Sequence, residues 1–495
     1  MSGIIQIEHL NFRYQNAEQG ALHDLSLTIH QGECVLLCGE SGCGKTTVTR
    51  LINGLIPHFY EGELDGSTTV CGLHTAEEEL YTIAAKVGSV FQNPRSQFFC
   101  LDTTSEVAFG CENLGMPEEE VLQRVARAEQ ELQLEHLMGR NIFHLSGGER
   151  QKIACGSVAA MGSEVMVLDE PTSNLDLDAI DELREALHTW KKQGKTIVIA
   201  EHRLYWLKEI CDRVIYFKDG RIALDMPMAE FCRLDAAQIR RLGLRSLALE
   251  ADGLPERVCT EGNSEAKSIV LQDYVFAYRS ADGSRHEALH IEQAELPAGG
   301  IIAVTGHNGA GKSTLLRCLC GLEKKFKGKT VIGGQNCNAK QMLRRSYMVM
   351  QDVNHQLFSE SVDDEIRLGM AEENETKVQQ TVEALDLTGL LTRHPMSLSG
   401  GQKQRTAIAS ASLAGKSVLI FDEPTSGLDY RHMQQTAVLL KQLRAENEII
   451  FVITHDPELI ADCCTHVLHM EGGRLQRLYP LDRQHRAQFL AQFGY

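Results

Sequence analysis

The chain has 495 residues, with 43% hydrophobic and 23% charged side chains and a formal net charge of −18 at pH 7. This is the composition of an ordinary folded protein, and its acidity argues against a general DNA or RNA binder, so no nucleic-acid partner is expected. No run approaches the roughly 18 apolar residues of a membrane-spanning helix. The 15 cysteines include no C-x-x-C pair typical of zinc sites, which favours reduced cytosolic thiols.

Residues 5–14 begin the first half with alternating apolar and polar side chains, a pattern that predicts an antiparallel strand. Tyr14 closes this segment, ahead of a glycine-rich loop. An aromatic ring at this position can stack on a nucleotide base, and the alternative is a tyrosine at the edge of the core. Because Tyr278 stands at the matching position of the second half, we predict that both rings stack on bases.

Residues 39–46 fit the pattern G-x-x-x-x-G-K-[ST] and follow an apolar run, 35–38, that predicts a buried strand. Glycines let the backbone turn its N–H groups inward, and the helix that begins after the loop adds the positive end of its dipole. The pattern therefore predicts a polyphosphate site, in which Lys45 reaches the β- and γ-phosphates and the Thr46 hydroxyl binds Mg²⁺. The predicted nucleotide-binding residues of this loop are Gly39, Ser41, Gly42, Gly44, Lys45, Thr46 and Thr47.

Two motifs follow at the predicted ends of secondary-structure elements. A short strand ends at Gln92, ahead of a proline-broken loop, and we expect this glutamine to contact Mg²⁺ or the attacking water. Ser146-Gly147-Gly148 begins a helix, where the serine is expected to cap the first turn. A capped, glycine-rich helix N-terminus can also hold a phosphate, so Ser146 and Gly148 are predicted to bind nucleotide.

The apolar run 165–168 delivers two carboxylates, Asp169 and Glu170, to the end of a predicted buried strand. Open α/β sheets bind their ligands at the carboxyl ends of strands. Aspartate suits Mg²⁺ coordination, and glutamate can act as a general base on water. A further strand, 196–200, leads to His202, which is predicted to contact the γ-phosphate.

Every one of these motifs recurs in the same order after roughly 250 residues, which indicates a duplicated domain rather than a solenoid repeat. The second set comprises Tyr278, the loop residues Gly306, Asn308, Gly309, Gly311, Lys312, Ser313 and Thr314, and then Gln351, Ser399, Gly401, Asp422, Glu423 and His455. Gln351 and Asp422 are the predicted Mg²⁺ contacts with Ser313, and Glu423 is the second general base. Residues 1–245 and 268–495 are the predicted domains, joined by a polar linker over 246–267.

Together these motifs resemble those of the ATP-binding cassette (ABC) ATPases over nearly the whole chain. The resemblance implies an α/β fold with two tandem P-loop NTPase domains, each with a mixed-sheet core, an antiparallel β subdomain and a helical signature subdomain. It implies ATP and Mg²⁺ as cofactors and hydrolysis of ATP to ADP and phosphate. Cassettes of this family meet head to tail around two ATP molecules, so an intramolecular pseudo-dimer is expected.

Within that family, the segments 92–99 and 351–358 are similar to those of energy-coupling-factor importers, although 95–96 and 354–355 lack the acidic residues usual there. That similarity implies uptake of a vitamin, cobalt or nickel through separate membrane subunits, namely a transmembrane coupling protein and a substrate-binding membrane protein. The chain would then lie peripherally at the cytoplasmic face of the cell membrane.

Two alternatives remain open. A fused sugar-import ATPase is also tandem, but such chains typically lose the lysine of the second loop, which is present here as Lys312. A soluble tandem-cassette translation factor would act on ribosomes, but usually carries a long charged linker.

The head-to-tail arrangement would also place Glu149, where the second half has Gln402, near the ATP bound at Lys312. We expect weaker binding there unless Arg150 or Lys152 neutralises the carboxylate.

Overall fold

The computed structural model describes residues 3–15, 17, 20–173, 175–248, 254–257, 267–279, 285–323, 325–370, 372–447 and 449–493. The chain divides into two compact units, Met1–Ala248 and Leu249–Tyr495. The predicted linker falls largely outside the described residues. Of its described part, Leu254 is buried in unit 2, where its carbonyl and that of Pro255 accept hydrogen bonds from Arg483. The boundaries at 245 and 268 stay a prediction.

Unit 1 contains ten described strands and nine helices. The strands are β1 Ile5–Tyr14, β2 Leu22–Ile29, β3 Cys34–Gly39, β4 Gly62–Val70, β5 Leu73–His74, β6 Val87–Val90, β7 Val165–Asp169, β8 Thr196–Ala200, β9 Arg213–Lys218 and β10 Arg221–Pro227. The helices are α1 Lys45–Ile52, α2 Leu55–His58, α3 Leu80–Ala84, α4 Thr103–Asn113, α5 Glu118–Glu131, α6 Gly147–Met161, α7 Leu177–Lys192, α8 Met228–Phe231 and α9 Ala236–Arg241.

Unit 2 repeats the order of the strands, and its described residues form eight helices. The strands are β11 Ile269–Arg279, β12 Arg285–Leu296, β13 Gly300–Thr305, β14 Lys327–Ile332, β15 Gln335–Cys337, β16 Ser346–Val349, β17 Val418–Asp422, β18 Ile449–Ile453, β19 His466–Glu471 and β20 Arg474–Pro480. The helices are α10 Lys312–Leu319, α11 Ala339–Arg345, α12 Val362–Arg367, α13 Glu375–Ala384, α14 Gly400–Leu413, α15 Tyr430–Arg444, α16 Pro457–Cys463 and α17 Arg486–Gln492.

Each unit has one antiparallel sheet and one mixed sheet. In unit 1 the antiparallel order is β2-β1-β4-β5, and the mixed order is β10-β9-β3-β8-β7-β6, in which only β10 runs antiparallel to its neighbour. Unit 2 has the same arrangement, β12-β11-β14-β15 and β16-β17-β18-β13-β19-β20. The predicted α/β fold with a mixed-sheet core, an antiparallel sheet and a helical layer is confirmed in both units.

The burial of the central strands follows from their sequence. Every residue of β3, β7 and β8 is buried, as expected for strands that are covered on both faces of a parallel sheet. Strand β1 alternates buried and exposed residues, because one face of its sheet packs on the core. Since β3, β7 and β8 are parallel neighbours, the loops that follow them leave the sheet at one edge.

Among the described helices, none combines the length and the apolar character needed to cross a membrane.

A bulge interrupts the pairing of β1 with β4 between Glu8 and Asn11, and His9 within it has a φ of +45°. Gly66 of β4 lies opposite, with a φ of +97°. A Cβ at this glycine would lie 2.6 Å from the Glu8 carbonyl oxygen and 2.7 Å from the His9 carbonyl oxygen. The backbone of the bulge in β1 therefore leaves room only for glycine.

We expect Gly66→Ala to lower the free energy of unfolding of unit 1 by about 2–4 kcal/mol, because both the backbone angle and the space are unfavourable. Gly72→Ala is the matched control. Gly72 has a φ of +80° but would place its Cβ in open space, so only the conformational cost of about 1 kcal/mol applies. Urea unfolding of both variants measures the difference, and equal losses would contradict the steric argument.

Candidate active site

The glycine-rich loop between β3 and α1 surrounds the side-chain nitrogen of Lys45. Lys45 Nζ donates to the carbonyl oxygens of Gly39 (2.9 Å) and Glu40 (3.0 Å), and the side chain is buried. Lys312 Nζ donates to the Gly306 carbonyl and, at 2.9 Å, to that of His307. Two carbonyl oxygens of the loop thus hold each ammonium group, and contact of either lysine with phosphate stays a prediction.

The loops also leave space for a ligand in front of the backbone. Gly42 and Gly309 have φ values of +81° and +82°, and a Cβ at either position would meet nothing within 4 Å. Each loop is followed directly by a helix N-terminus, at Lys45 and at Lys312. An open glycine-lined cradle with a buried ammonium and a helix dipole fits a polyphosphate.

An aspartate from the neighbouring strand pairs with the hydroxyl that follows each lysine. Thr46 Oγ1 donates to Asp169 Oδ1 at 3.3 Å, and Ser313 Oγ donates to Asp422 Oδ2 at 2.9 Å. Burial, with repulsion from Glu170, raises the pKa of Asp169 to about 7, and burial raises the pKa of Asp422 to about 6. A hydroxyl and a carboxylate oxygen are donors that suit Mg²⁺, and a cation would compensate these buried charges.

The two predicted general bases stand in a rare backbone conformation. Glu170 and Glu423 have φ values of +47° and +51°. Their backbone N–H groups donate to the carbonyl oxygens of Ala200 (2.8 Å) and Ile453 (2.9 Å), which hold this turn at the strand edge. Left-handed backbone at a residue other than glycine costs about 1 kcal/mol or more and tends to occur where function requires it.

In unit 1 the structure brings the predicted catalytic side chains together. Gln92 Nε2 donates to Glu170 Oε2 at 2.7 Å, and His202 Nε2 lies 3.4 Å from Glu170 Oε1. Both partners thus contact separate oxygens of one carboxylate, which fixes its orientation.

Unit 2 holds its glutamate differently. His455 Nε2 lies 3.8 Å from Glu423 Oε1 and 3.3 Å from Lys312 Nζ, so the imidazole stands between base and lysine. Thr454 Oγ1 donates to Glu423 Oε2 at 3.3 Å, and Gln351 is exposed. The sequence patterns did not single out Thr454, but aligning the two histidine segments shows that its counterpart in unit 1 is a glutamate, Glu201.

The predicted base-stacking tyrosines lie beside the helix that follows each loop. Tyr14 Oη lies 3.2 Å from Thr47 Oγ1 and accepts from Arg50 Nη1 at 2.9 Å. Tyr278 Oη lies 3.1 Å from Thr314 Oγ1. In unit 1 the Arg50 guanidinium also lies 3.9 Å from the centroid of the Tyr60 ring. Base stacking by either tyrosine stays a prediction.

The serine–glycine motif begins α6 and α14 in the helical layer, where α6 packs on α4 and α5. Ser146 Oγ accepts from the Glu149 backbone N–H, and the Glu149 carboxylate accepts from that of Ser146, which forms a reciprocal capping box. Ser399 and Gln402 repeat this arrangement. Gly148 and Gly401 lie in the first turns, so the predicted residues are grouped here rather than at the sheet edge.

The Glu149 carboxylate is neutralised by a residue that the sequence did not suggest. It pairs with Arg140 at 2.8 Å, whereas Lys152, one of the two residues considered for this role, pairs with Glu182. Burial favours a higher pKa for Glu149, but the bonds from Ser146 and Arg140 outweigh it and hold the pKa below its ordinary value. The carboxylate is therefore ionised and compensated.

Comparison with known proteins places these motifs in a family. The model of the ABC transporter family matches residues 22–173 and 289–426. The chain belongs to the ABC transporter family. A Treponema denticola protein named "Putative ABC transporter ATP-binding protein" is 46% identical over 95% of this chain and 96% of its own length. The fold and the two tandem ABC domains are thereby confirmed, and the chain is an ABC ATP-binding protein.

Two further similarities differ in what they support. The Bacillus subtilis protein named "Putative HMP/thiamine import ATP-binding protein YkoD" is 31% identical over 94% of this chain and 89% of its own length. A model of ribosome-bound archaeal Pelota and ABCE1 contains a chain with a TM-score of 0.68 and 19% identity, over 98% of this chain and 80% of that one. At that identity, the second similarity shows the fold alone.

The buried aspartates predict a pH-dependent stability. The folded-state pKa of Asp169, about 7, lies above its ordinary value of 3.8, so ionisation costs folding free energy as pH rises between these values. Without nucleotide and Mg²⁺, we expect Asp169→Asn to stabilise unit 1 by about 2–4 kcal/mol at pH 8 and by less at pH 5.

Urea unfolding at both pH values measures this effect, and Asp422→Asn should show a smaller gain in unit 2, since its pKa is about 6. A loss of stability at pH 8 for Asp169→Asn would contradict the assignment of a strained, ionised carboxylate.

Proposed function

We propose that this chain is the ATP-hydrolysing subunit of an energy-coupling-factor importer, which powers uptake of a vitamin or transition-metal ion through separate membrane subunits. The observation that carries the proposal is the similarity, over 94% of the chain, to a B. subtilis protein named for HMP/thiamine import. The partners would be a transmembrane coupling protein and a substrate-binding membrane protein. The chain would lie peripherally, at the cytoplasmic face of the cell membrane.

The residues of unit 1 would divide the chemistry among them. Lys45 would hold the β- and γ-phosphates, and Asp169 with the Thr46 hydroxyl would hold Mg²⁺, which supplies positive charge to the phosphate oxygens. Glu170 would orient the attacking water and accept its proton, while His202 would contact the γ-phosphate. The bond from Gln92 to Glu170 would keep this carboxylate aimed at the water.

Unit 2 would supply a second site with the same parts, Lys312, Ser313, Asp422, Glu423 and His455. In this family each ATP lies between the phosphate loop of one cassette and the signature motif of the other. Ser146 and Ser399, at the two capped helix starts, would be the signature residues of the two cassettes. The completeness of the second set favours two hydrolytic sites over the single site expected of a fused sugar-import ATPase.

An exposed apolar patch beside the Gln92 loop favours a membrane-protein partner. Phe99 and Phe143 are 75% and 73% exposed, and the Phe99 ring stacks on Phe109 at 5.1 Å. The buried carboxylate of Glu106 holds this loop by accepting from the backbone N–H groups of Phe99 and Cys100. The segments that carry Phe99 and Phe143 lie side by side, because the Ile142 backbone N–H donates to the Leu101 carbonyl oxygen. Exposed aromatic rings on adjacent segments indicate an interaction site for another apolar surface.

Unit 2 presents an equivalent patch beside Gln351. Phe358 is 71% exposed, and Leu368 and Met396 are also exposed. Its loop is held in the same way, because Glu365 accepts from the backbone N–H groups of Phe358 and Ser359. Two matching apolar patches fit a transmembrane coupling protein better than the anionic surface of a ribosome, which a chain of net charge −18 would not favour.

Removing each general base tests the catalytic assignment. We expect Glu170→Gln and Glu423→Gln each to slow hydrolysis at its own site by roughly 10²- to 10⁴-fold, because the amide cannot accept a proton. Phosphate release by the purified chain measures this effect. Glu164→Gln, which changes an exposed acid paired with Lys86, is the matched control. Full activity in the doubly substituted chain would refute the roles given to these glutamates.

Removing the apolar patch tests the partner. In cells that depend on the chain for uptake, Phe99→Ser with Phe143→Ser should abolish both co-purification of the membrane subunits and uptake. The ATPase activity of the isolated chain should persist, because neither ring contacts the catalytic residues. Leu122→Ser, at an exposed leucine of α5 outside the patch, is the control. Unchanged uptake of vitamins, cobalt and nickel, with co-sedimentation on ribosomes, would instead support a translation factor.

A further inference from the structure

The acidic residue next to the histidine lies on opposite sides of it in the two units. Unit 1 reads Glu201-His202-Arg203, and unit 2 reads Thr454-His455-Asp456. The carboxylate thus precedes the histidine in unit 1 and follows it in unit 2. Both carboxylates are buried, so each needs hydrogen-bond donors to be stable.

In unit 2 the carboxylate joins two loops at the edge of the sheet. Asp456 Oδ2 accepts from Thr425 Oγ1 at 2.9 Å, and Thr425 lies two residues after Glu423. Asp456 Oδ1 accepts from the backbone N–H groups of Glu458 and Leu459. The loop with the general base is therefore tied to the loop with the histidine.

Unit 1 makes the same connection from the other side of its histidine. Glu201 Oε2 accepts from Thr172 Oγ1 at 2.6 Å, and Thr172 lies two residues after Glu170. Glu201 Oε1 accepts from the backbone N–H groups of His202 (2.7 Å) and Arg203 (3.1 Å). The longer side chain of Glu201, which precedes its histidine, thus contacts Thr172 as Asp456, which follows its histidine, contacts Thr425.

We propose that Glu201 is a positioning residue for hydrolysis, which acts through Thr172 to fix Glu170 against His202. The two units then reach the same result with different pairs of residues, Glu201 with Arg203 and Thr454 with Asp456. Each pair supplies one carboxylate to the threonine of its own unit, Thr172 or Thr425. Glu201→Thr alone would leave Thr172 with no carboxylate, and Arg203→Asp alone would give it two. This inference rests on the proposed ATPase activity and assigns residues that the motifs do not include.

The energetic argument follows from burial. Removing the Glu201 carboxylate leaves the Thr172 hydroxyl and two buried N–H groups without their acceptor, and each such loss costs about 1–3 kcal/mol. Adding an aspartate at position 203 while Glu201 remains places a second carboxylate in the same buried region. Arg203 is itself buried, and its Nη1 has no hydrogen-bond partner within the described residues, whereas its backbone N–H donates to Glu201.

The exchange has a consequence for the general base. In unit 2 the residue before the histidine is a threonine, whose hydroxyl donates to Glu423 at 3.3 Å. Glu201 has no proton to donate in its ionised form, and Glu170 is held instead by Gln92 at 2.7 Å. The different position of the acidic residue therefore goes with a different hydrogen-bond donor to the glutamate, Gln92 in unit 1 and Thr454 in unit 2.

Three variants of the full-length chain test the exchange: Glu201→Thr, Arg203→Asp and the two together. Phosphate release is measured over a range of ATP concentrations, both in the natural chain and with Glu423→Gln, where turnover depends on Glu170. In the chain carrying Glu423→Gln, each single change is expected to lower kcat by roughly 10- to 100-fold with KM little changed, because geometry rather than binding is lost. In the natural chain the loss is smaller, because unit 2 still hydrolyses ATP. The double variant should recover most of the lost kcat.

A double-mutant cycle between Thr172 and Glu201 distinguishes the positioning role from misfolding. If Glu201 acts through Thr172, then Thr172→Val lowers kcat as Glu201→Thr does, and combining the two lowers it no further. Thr425→Val, in the chain carrying Glu170→Gln, is the matched control in unit 2. Thermal unfolding and binding of a fluorescent ATP analogue verify that every variant is folded.

The outcomes separate this inference from the function on which it rests. Absence of ATP hydrolysis by the natural chain would overturn the proposed function. Hydrolysis that Glu201→Thr leaves within threefold in both backgrounds, or additive losses for Thr172→Val and Glu201→Thr, would overturn the positioning role alone.

Discussion

The geometry of each active site depends on parallel strands that end together at one edge of a buried sheet. In unit 1, β8 lies between β3 and β7, and the register sets both Leu37 and Asp169 opposite Ala200. Every residue of these strands is buried, and apart from Thr196 and the terminal Asp169 their side chains are apolar, so most polar groups lie in the loops that follow them. Because side chains alternate along a strand, a shift of one residue would turn Asp169 away from Thr46.

The same edge carries a cost in stability. Asp169 and Glu170 are buried next to one another, and the second adopts a left-handed backbone conformation. Burial raises the pKa of Asp169 to about 7, so ionisation of this carboxyl group costs folding free energy. Such strain is common where a protein needs charge in a fixed place, and the apolar strands behind the site offset it.

Duplication has kept the architecture and altered the bonds within it. Both units have the same sheet orders and the same glutamate-held apolar loop. They differ around the predicted general bases, where Gln92 donates to Glu170 and Thr454 donates to Glu423. Beside Tyr14, unit 1 also places the Arg50 guanidinium over the Tyr60 ring. The two homologous sites thus have similar geometry but different hydrogen bonds. This difference allows the two sites of one chain to differ in activity.

Much of this protein is determined by short sequence patterns. The glycine-rich loops, the apolar runs that end in Asp-Glu, and the repeated order of motifs predicted the α/β fold, the duplication and the family, because they reflect local backbone and burial requirements. Contacts between distant segments are different. The pairs Thr172–Glu201 and Glu149–Arg140 depend on side-chain direction after the sheet and helices have assembled. No periodicity encodes such directions, so only the tertiary structure decided which carboxylate serves which partner.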